Sequence, residues 1–127
     1  LSKAKKENEL ADAKAEPMKD IISFDDFVKL DMRVVTVLEA EKMPKSKKLI
    51  KLKVDTGLGT RTVLSGVAEH FEPEFLVGKQ VTMLINLAPR KMMGIDSEGM
   101  ILMAEDKDGK LKLIQPHEGT APGSTVS

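Results

Sequence analysis

The side chains best suited to hold a ligand are gathered in one stretch of the sequence. Asn86, Arg90, Lys91 and Ser97 stand within Asn86–Met100, with Gly94 and Gly99 among them, between apolar runs at Val81–Leu87 and Met100–Ala104. An amide, two cations, a hydroxyl and two glycines on a loop between strands form a rim for backbone and phosphate binding, and such loops are where a rigid β-scaffold usually places function. A second group lies upstream. From Lys42 to Lys53 there are six lysines (Lys42, Lys45, Lys47, Lys48, Lys51 and Lys53) and no acid. Taken alone, this run reads as a solvated strand with a lysine-guarded edge. The alternative is a surface that neutralises phosphates.

Catalysis finds little support. His70 and His117 have no partner at metal-ligand or triad spacing and read as surface or loop histidines. Asp106-Lys107-Asp108-Gly109 lacks the further ligands and closing Glu of a calcium loop, and reads as a hairpin turn. Gly57-x-Gly59 lacks the following helix of a phosphate loop, and Ser65-Gly66 has neither a nearby base nor a nucleophile elbow. The domain is therefore expected to carry no catalytic residue, metal or cofactor of its own.

Composition narrows the classes further. Without cysteine there are no disulfides and no thiolate metal site, which fits a reducing compartment and a cytoplasmic protein. No apolar run approaches the roughly 18 residues of a membrane span, so no membrane partner is expected. Lys+Arg and Asp+Glu cancel at 20 each, so any nucleic-acid surface must come from charge distribution rather than net charge. Aromatics are few. Phe24, Phe27, Phe71 and Phe75 read as core, so shape and phosphate recognition should dominate over base stacking.

The elements that must position these residues are legible in outline. Residues 1–20 carry five cations and five acids with little to bury, and read as a flexible charged linker; the globular domain is expected over 21–127. The chain begins with Leu1 rather than Met, as an excised piece of a longer protein would. Ser23-Phe24-Asp25-Asp26 has the form of a capping box, with Ile22 and Phe27 at staple positions, predicting a short helix over Phe24–Leu30. Period-two patterning then predicts strands at Met32–Leu38, Leu49–Asp55, Arg61–Ser65, Gln80–Leu87 and Gly99–Ala104, with a helical turn at Pro73–Leu76. On the second strand Ile50, Leu52 and Val54 share one face, and Lys51 and Lys53, with Lys47, make the other electropositive. Asp108-Gly109 turns into a short strand at Leu111–Ile114, and Thr125–Val126 adds a final pairing. A small helix between the third and fourth strands matches an all-β OB-fold, a five-stranded Greek-key barrel, here with a short N-terminal helix and a C-terminal extension. An OB barrel binds oligonucleotides on its second and third strands and adjoining loops. The lysine run and the Asn86–Met100 loop both fall there, and their convergence favours nucleic-acid binding.

The sequence also resembles a known family. Asn86-Leu87-x-Pro89-x-Lys91-Met92-x-Gly94-x-x-Ser97-x-Gly99-Met100 is similar to the signature of the tRNA-binding domain at the C-terminus of bacterial methionyl-tRNA synthetases. Asp31-Met32-Arg33-Val34-Val35-x-Val37 resembles its opening strand. Pro44-x-x-x-Lys48-Leu49, Val54-Asp55-x-Gly57, Val63-Leu64-Ser65-Gly66, Gly78-Lys79-x-Val81 and Pro122-Gly123 follow in the family's order. The resemblance implies an OB-fold homodimer that binds tRNA by its structure, joined to a catalytic body that uses ATP and methionine. By position it carries tRNA contacts onto Lys48, Arg61, Ser65, Asn86, Lys91, Ser97 and Met100, to which charge adds Arg90 and the other lysines of the run. Arg33 is either a further contact or an ion pair with Asp31. The dimer interface is implied along the N-terminal helix and the C-terminal tail. A preceding linker and a sequence that stops near the domain's end fit a C-terminal appendage. Ala88 and Met93 stand where relatives often carry cations, which should weaken binding and flatten its salt dependence. The family also contains a chaperone, so a peptide-binding dimer is the alternative function, and a pure dimerisation module is a third.

Overall fold

Alternating valines build the spine of the molecule. In the computed structural model, which describes residues 17–127, β1 (Met32–Lys42) turns Val35 and Val37 into the core and pairs antiparallel with strands on both sides. Of the linker expected over residues 1–20, residues 1–16 lie outside the described residues. β2 (Ile50–Asp55) and β3 (Thr60–Ser65) form a meander beside β1, and β4 (Gln80–Leu84) lies on its other flank. β5 (Arg90–Met92) and β6 (Ile95–Ser97) make a separate hairpin, after which β7 (Met100–Ile101) pairs with β4. The order is β3-β2-β1-β4-β7. The two ends of this curled sheet meet where Glu98 donates its N–H to the Thr62 carbonyl at 2.9 Å and the Leu64 N–H reaches Ser97 Oγ at 3.0 Å. This is the OB arrangement, closed by isolated hydrogen bonds rather than a full ladder.

The core is aliphatic: Val35, Val37, Ile50, Leu52, Val54, Val63, Leu76, Val81 and Met83 are almost wholly buried. Truncating one of its leucines or isoleucines to alanine should cost about 2–5 kcal/mol, since close-packed surroundings collapse only partly into the hole. α2 (Pro73–Leu76) plugs one end of the barrel with Leu76, with Pro at its first position, where the missing N–H costs nothing. Gly57 (φ 79°) lets the β2–β3 turn pass against the Pro122–Gly123 backbone, where any Cβ would collide with the Pro122 carbonyl.

A bulge in β1 decides which residues face outwards. The register runs Val37 opposite Val54 and then Glu39 opposite Lys53, so Leu38 is the extra residue. Strict alternation after Val35 and Val37 would turn Glu39 inward. The bulge turns Ala40 toward the core instead and leaves Glu39 and Glu41 outside.

Several predicted elements change in extent. α1 (Phe24–Val28) has both hydrogen bonds of its capping box but ends two residues before Leu30 and buries nothing. The run expected as one fifth strand divides, because after β7 the chain leaves β4 and β8 (Met103–Glu105) pairs with β9 (Leu111–Leu113). β10 (Thr125–Val126) pairs with the start of β1, as expected. Three of the phenylalanines are not core: Phe24 is 75% exposed, Phe75 is 50% exposed, and Phe27 lies at the surface. Phe24 and Phe27 sit on a helix with nothing packed over it, and Phe75 leans on Phe71 with its ring under the Lys79 ammonium. Only Phe71 packs against the core. Among the described residues, no helix is long and apolar enough to cross a membrane.

Candidate nucleic-acid interface

The Asn86–Met100 segment is not a plain loop. Residues 90–92 and 95–97 alternate across a two-residue turn at Met93 (φ 51°) and Gly94 (φ 80°), placing Arg90 opposite Ser97, Lys91 opposite Asp96 and Met92 opposite Ile95. Positive φ at both turn residues matches the right-handed twist of a hairpin. A methionine at the first of them is the reason sequence reading misses it; Asn-Gly or Asp-Gly would have announced the turn. The alternation of residues around Gly94 was the available signal.

This hairpin walls a groove of about 230 Å³ against the end of β3. Leu64, Ser65, Leu87, Arg90, Met92 and Met100 supply most of its lining. Ser65, Arg90, Ser97 and Met100, expected from the sequence to act together, therefore do meet. Leu87 and Met92 are lining residues that sequence reasoning did not select, and Ala88, where relatives often carry a cation, lines the groove as well. The lysine loop lies at the same end of the barrel. Its backbone is organised by Ser46 Oγ, which accepts from the Lys48 and Leu49 N–H groups at 3.2 and 3.1 Å. The Lys48 carbonyl accepts from Ala68 N–H at 2.9 Å, just beyond Ser65-Gly66. Lys45, Lys47 and Lys48 are exposed there, as are Arg90 and Lys91 on the hairpin.

Three expected contact residues spend polar groups on the protein's own backbone. Ser97 is 5% exposed; its hydroxyl accepts from Leu64 N–H and faces the Gly99 carbonyl at 3.5 Å. Arg61 donates from Nη1 to the carbonyls of Ile85 and Glu98. Asn86 donates from Nδ2 to the Lys29 carbonyl at 2.6 Å, and its Oδ1 accepts from Asp31 N–H at 2.9 Å.

The sheet face is less positive than the lysine run implies. β2 is an interior strand, so its lysines guard no edge. Across the ladder Lys53 meets Glu39 and Lys51 meets Glu41, the latter pair 3.5 Å apart. Lys42 pairs with Glu72 at 3.4 Å. Such exposed pairs contribute about 0–1 kcal/mol to stability, but they offset the local potential. The shallow groove of about 400 Å³ on this face is lined by both signs: Glu39, Glu41, Lys51 and Lys53, with Thr62. Arg33 is an ion-pair residue: its Nε and Nη2 reach the two Asp31 oxygens at 2.9 and 3.1 Å. That fork holds the Asp31 carboxyl below its usual range, against a smaller opposing effect of desolvation.

Comparison with known proteins places the family and the fold. The family model described as "Putative tRNA binding domain" matches residues 32–125. The chain is 56% identical to methionine–tRNA ligase of Christiangramia forsetii over 128 residues, covering all of this chain and 18% of the ligase. It is likewise 56% identical to the Bacteroides fragilis methionine–tRNA ligase over 126 residues, covering 99% of the chain and 19% of that enzyme. Among solved structures, the MetRS related protein from Pyrococcus horikoshii is 41% identical with a TM-score of 0.81, over 86% of this chain and all of that one. The chaperone CsaA from Bacillus anthracis is 31% identical with a TM-score of 0.77, over 85% of this chain and all of that one. The chain thus spans under a fifth of the length of these ligases. With its barrel, its cation-flanked groove and the match across both, this chain belongs to the tRNA-binding domain family, in the form that methionine–tRNA ligases carry.

Proposed function

We propose that this segment is the C-terminal domain by which a cytoplasmic methionyl-tRNA synthetase captures tRNA and dimerises, while the catalytic body uses ATP and methionine to aminoacylate. The observation that carries the reading is a groove lined by Arg90 and Ser65 at one end of an OB barrel, with exposed Lys91 next to Arg90 on the hairpin and the exposed Lys45–Lys48 loop tied through the Lys48 carbonyl to Ala68, three residues past Ser65. These cations neutralise phosphates and release counterions, so affinity falls with salt in proportion to the contacts made. Ser65 offers a hydroxyl to sugar or phosphate, and Met100, Met92 and Leu87 give the groove an apolar floor for the face of an unstacked base. Lys42, Lys51 and Lys53 act at longer range because acids oppose them. Arg61, Asn86 and Ser97 support the site through their bonds to backbone.

Self-association is supported by the surface around α1. Ile21, Ile22, Phe24, Val28 and Leu30 are exposed on one short segment, and grouped exposed apolar side chains of this kind mark interaction surfaces. A second copy of the chain covers it in this reading. Two grooves in one assembly then raise tRNA capture through effective concentration.

A second reading, peptide binding, draws on the apolar lining of the groove and the likeness to the chaperone. A titration separates the two. Folded tRNA is added to the domain at two salt concentrations, with single-stranded DNA and unfolded tRNA as competitors. Preference for folded tRNA with a steep salt dependence supports capture through phosphates. Affinity for peptides that ignores salt, with no tRNA binding, would replace that reading with the chaperone-like one. A dimer that binds neither is a dimerisation module.

A further inference from the structure

One side chain ties the exposed apolar segment to the stretch that leads, four residues on, into the cationic hairpin. α1 is five residues long and buries none of them, and so short a helix does not hold itself in water. Its first turn is fixed by the Ser23–Asp26 capping box. Its last carbonyls are of the kind every helix leaves without an internal partner. Here the Lys29 carbonyl is taken by Asn86 Nδ2 at 2.6 Å, and the same amide's Oδ1 takes the Asp31 N–H at 2.9 Å. Next door, Ile85 N–H donates to the Asp31 carbonyl at 2.9 Å, and the Ile85 carbonyl receives Arg61, which also reaches Glu98 at 3.4 Å. A continuous polar path therefore runs from the end of α1 through residues 85 and 86 to β3 and to the far end of the hairpin. Arg90 follows Asn86 by four residues.

We infer that Asn86 is a positioning residue that couples self-association through α1 to tRNA binding through the Arg90–Lys91 hairpin, rather than a residue that touches RNA. The inference rests on the dimer reading above. Both polar atoms of its side chain are engaged in holding the α1–β1 connection against the chain just after β4, four residues before the hairpin. A copy docking on α1 favours one direction of that helix, and the latch transmits the same preference to the hairpin. Linkage is reciprocal: tRNA must tighten self-association by the factor by which self-association tightens tRNA.

The test is Asn86→Ala in this chain, read three ways. Hydrogen exchange follows the Asp31 amide without RNA, sedimentation gives the dimer dissociation constant with and without tRNA, and tRNA affinity is taken across a salt series. The expected result is faster exchange at Asp31, self-association and tRNA affinity each weaker by about five- to tenfold, and a parental salt slope, since no phosphate contact is lost. In the parent chain tRNA should strengthen the dimer, and in the variant it should do so less. Asn86→Asp keeps the acceptor for Asp31 but turns a carboxylate oxygen on the Lys29 carbonyl, which can only repel it; if the alanine variant does not fold, this variant should still weaken the dimer. Reduced tRNA affinity with parental Asp31 exchange and parental self-association would make Asn86 a direct contact and overturn the proposal. A parent chain that stays monomeric with and without tRNA removes the dimer reading and the coupling together. A dimeric parent in which Asn86→Ala changes no readout overturns the coupling alone.

Discussion

The two lysine-bearing regions of this molecule have similar sequences and different electrostatics. Lys51 and Lys53 stand on β2 with Glu41 and Glu39 directly across the ladder, whereas Lys45, Lys47 and Lys48 stand on a loop beside a hairpin that presents Arg90 and Lys91. The first region is a charge-balanced sheet face. The second is a set of exposed cations near an apolar groove that Arg90 lines, in which Lys91 alone has an acid, Asp96, opposite it in register. Neighbours brought by the fold, not the number of lysines, separate a solvated face from a phosphate-binding rim. The difference traces to the Leu38 bulge, which places Glu39 and Glu41 on the lysine side of the sheet.

The contrast can be broken most strongly at the rim. Lys48→Glu with Lys91→Glu should lower tRNA affinity about 100-fold or more at low salt while leaving thermal unfolding near the parent's, because both residues are exposed. Normal tRNA binding by this double variant would refute the placement of the site. On the sheet face, Glu39→Gln with Glu41→Gln frees Lys51 and Lys53. Binding isotherms should then show affinity rising about three- to fivefold and the salt slope steepening by up to about two contacts. Adding Lys51→Ala and Lys53→Ala to that pair restores the parental net charge, and affinity should return to within about twofold of the parent. A large loss in this quadruple variant would mean that the sheet lysines touch RNA directly.

The smallest expected effect is one of pH. The Arg33 fork holds the folded Asp31 pKa below its unfolded value, so the pair's contribution to stability is fully present above the ordinary carboxylate range and is lost as pH falls through the folded value. Arg33→Ala should raise the Asp31 titration midpoint, followed by carboxyl NMR, and remove that part of the acid sensitivity of unfolding. The pair is partly exposed, so the stability change is small.

Much of the frame was legible in the sequence. Val35, Val37, Ile50, Leu52 and Val54 announce strands because period-two burial leaves an alternating trace, and the Ser23–Asp26 box announces a helix start because its hydrogen bonds are local. The candidate site was legible as a stretch but not as a shape. Asn86, Arg61 and Ser97 look like ligand-binding groups in sequence, yet each bonds to backbone 24 or more residues away. Met93-Gly94 hides a hairpin, since methionine is not a residue that usually signals left-handed backbone.

By itself, then, the sequence determined what depends on near neighbours: strand faces, the helix cap, the Asp108-Gly109 turn, and the stretch in which ligand-binding groups collect. Tertiary structure alone decided which cations are free, which polar side chains are already spent, and which aromatics reach the surface. Those outcomes depend on cross-strand register and on contacts between residues far apart in the chain. A single bulged residue changes that register for every position after it, and no local propensity records the change.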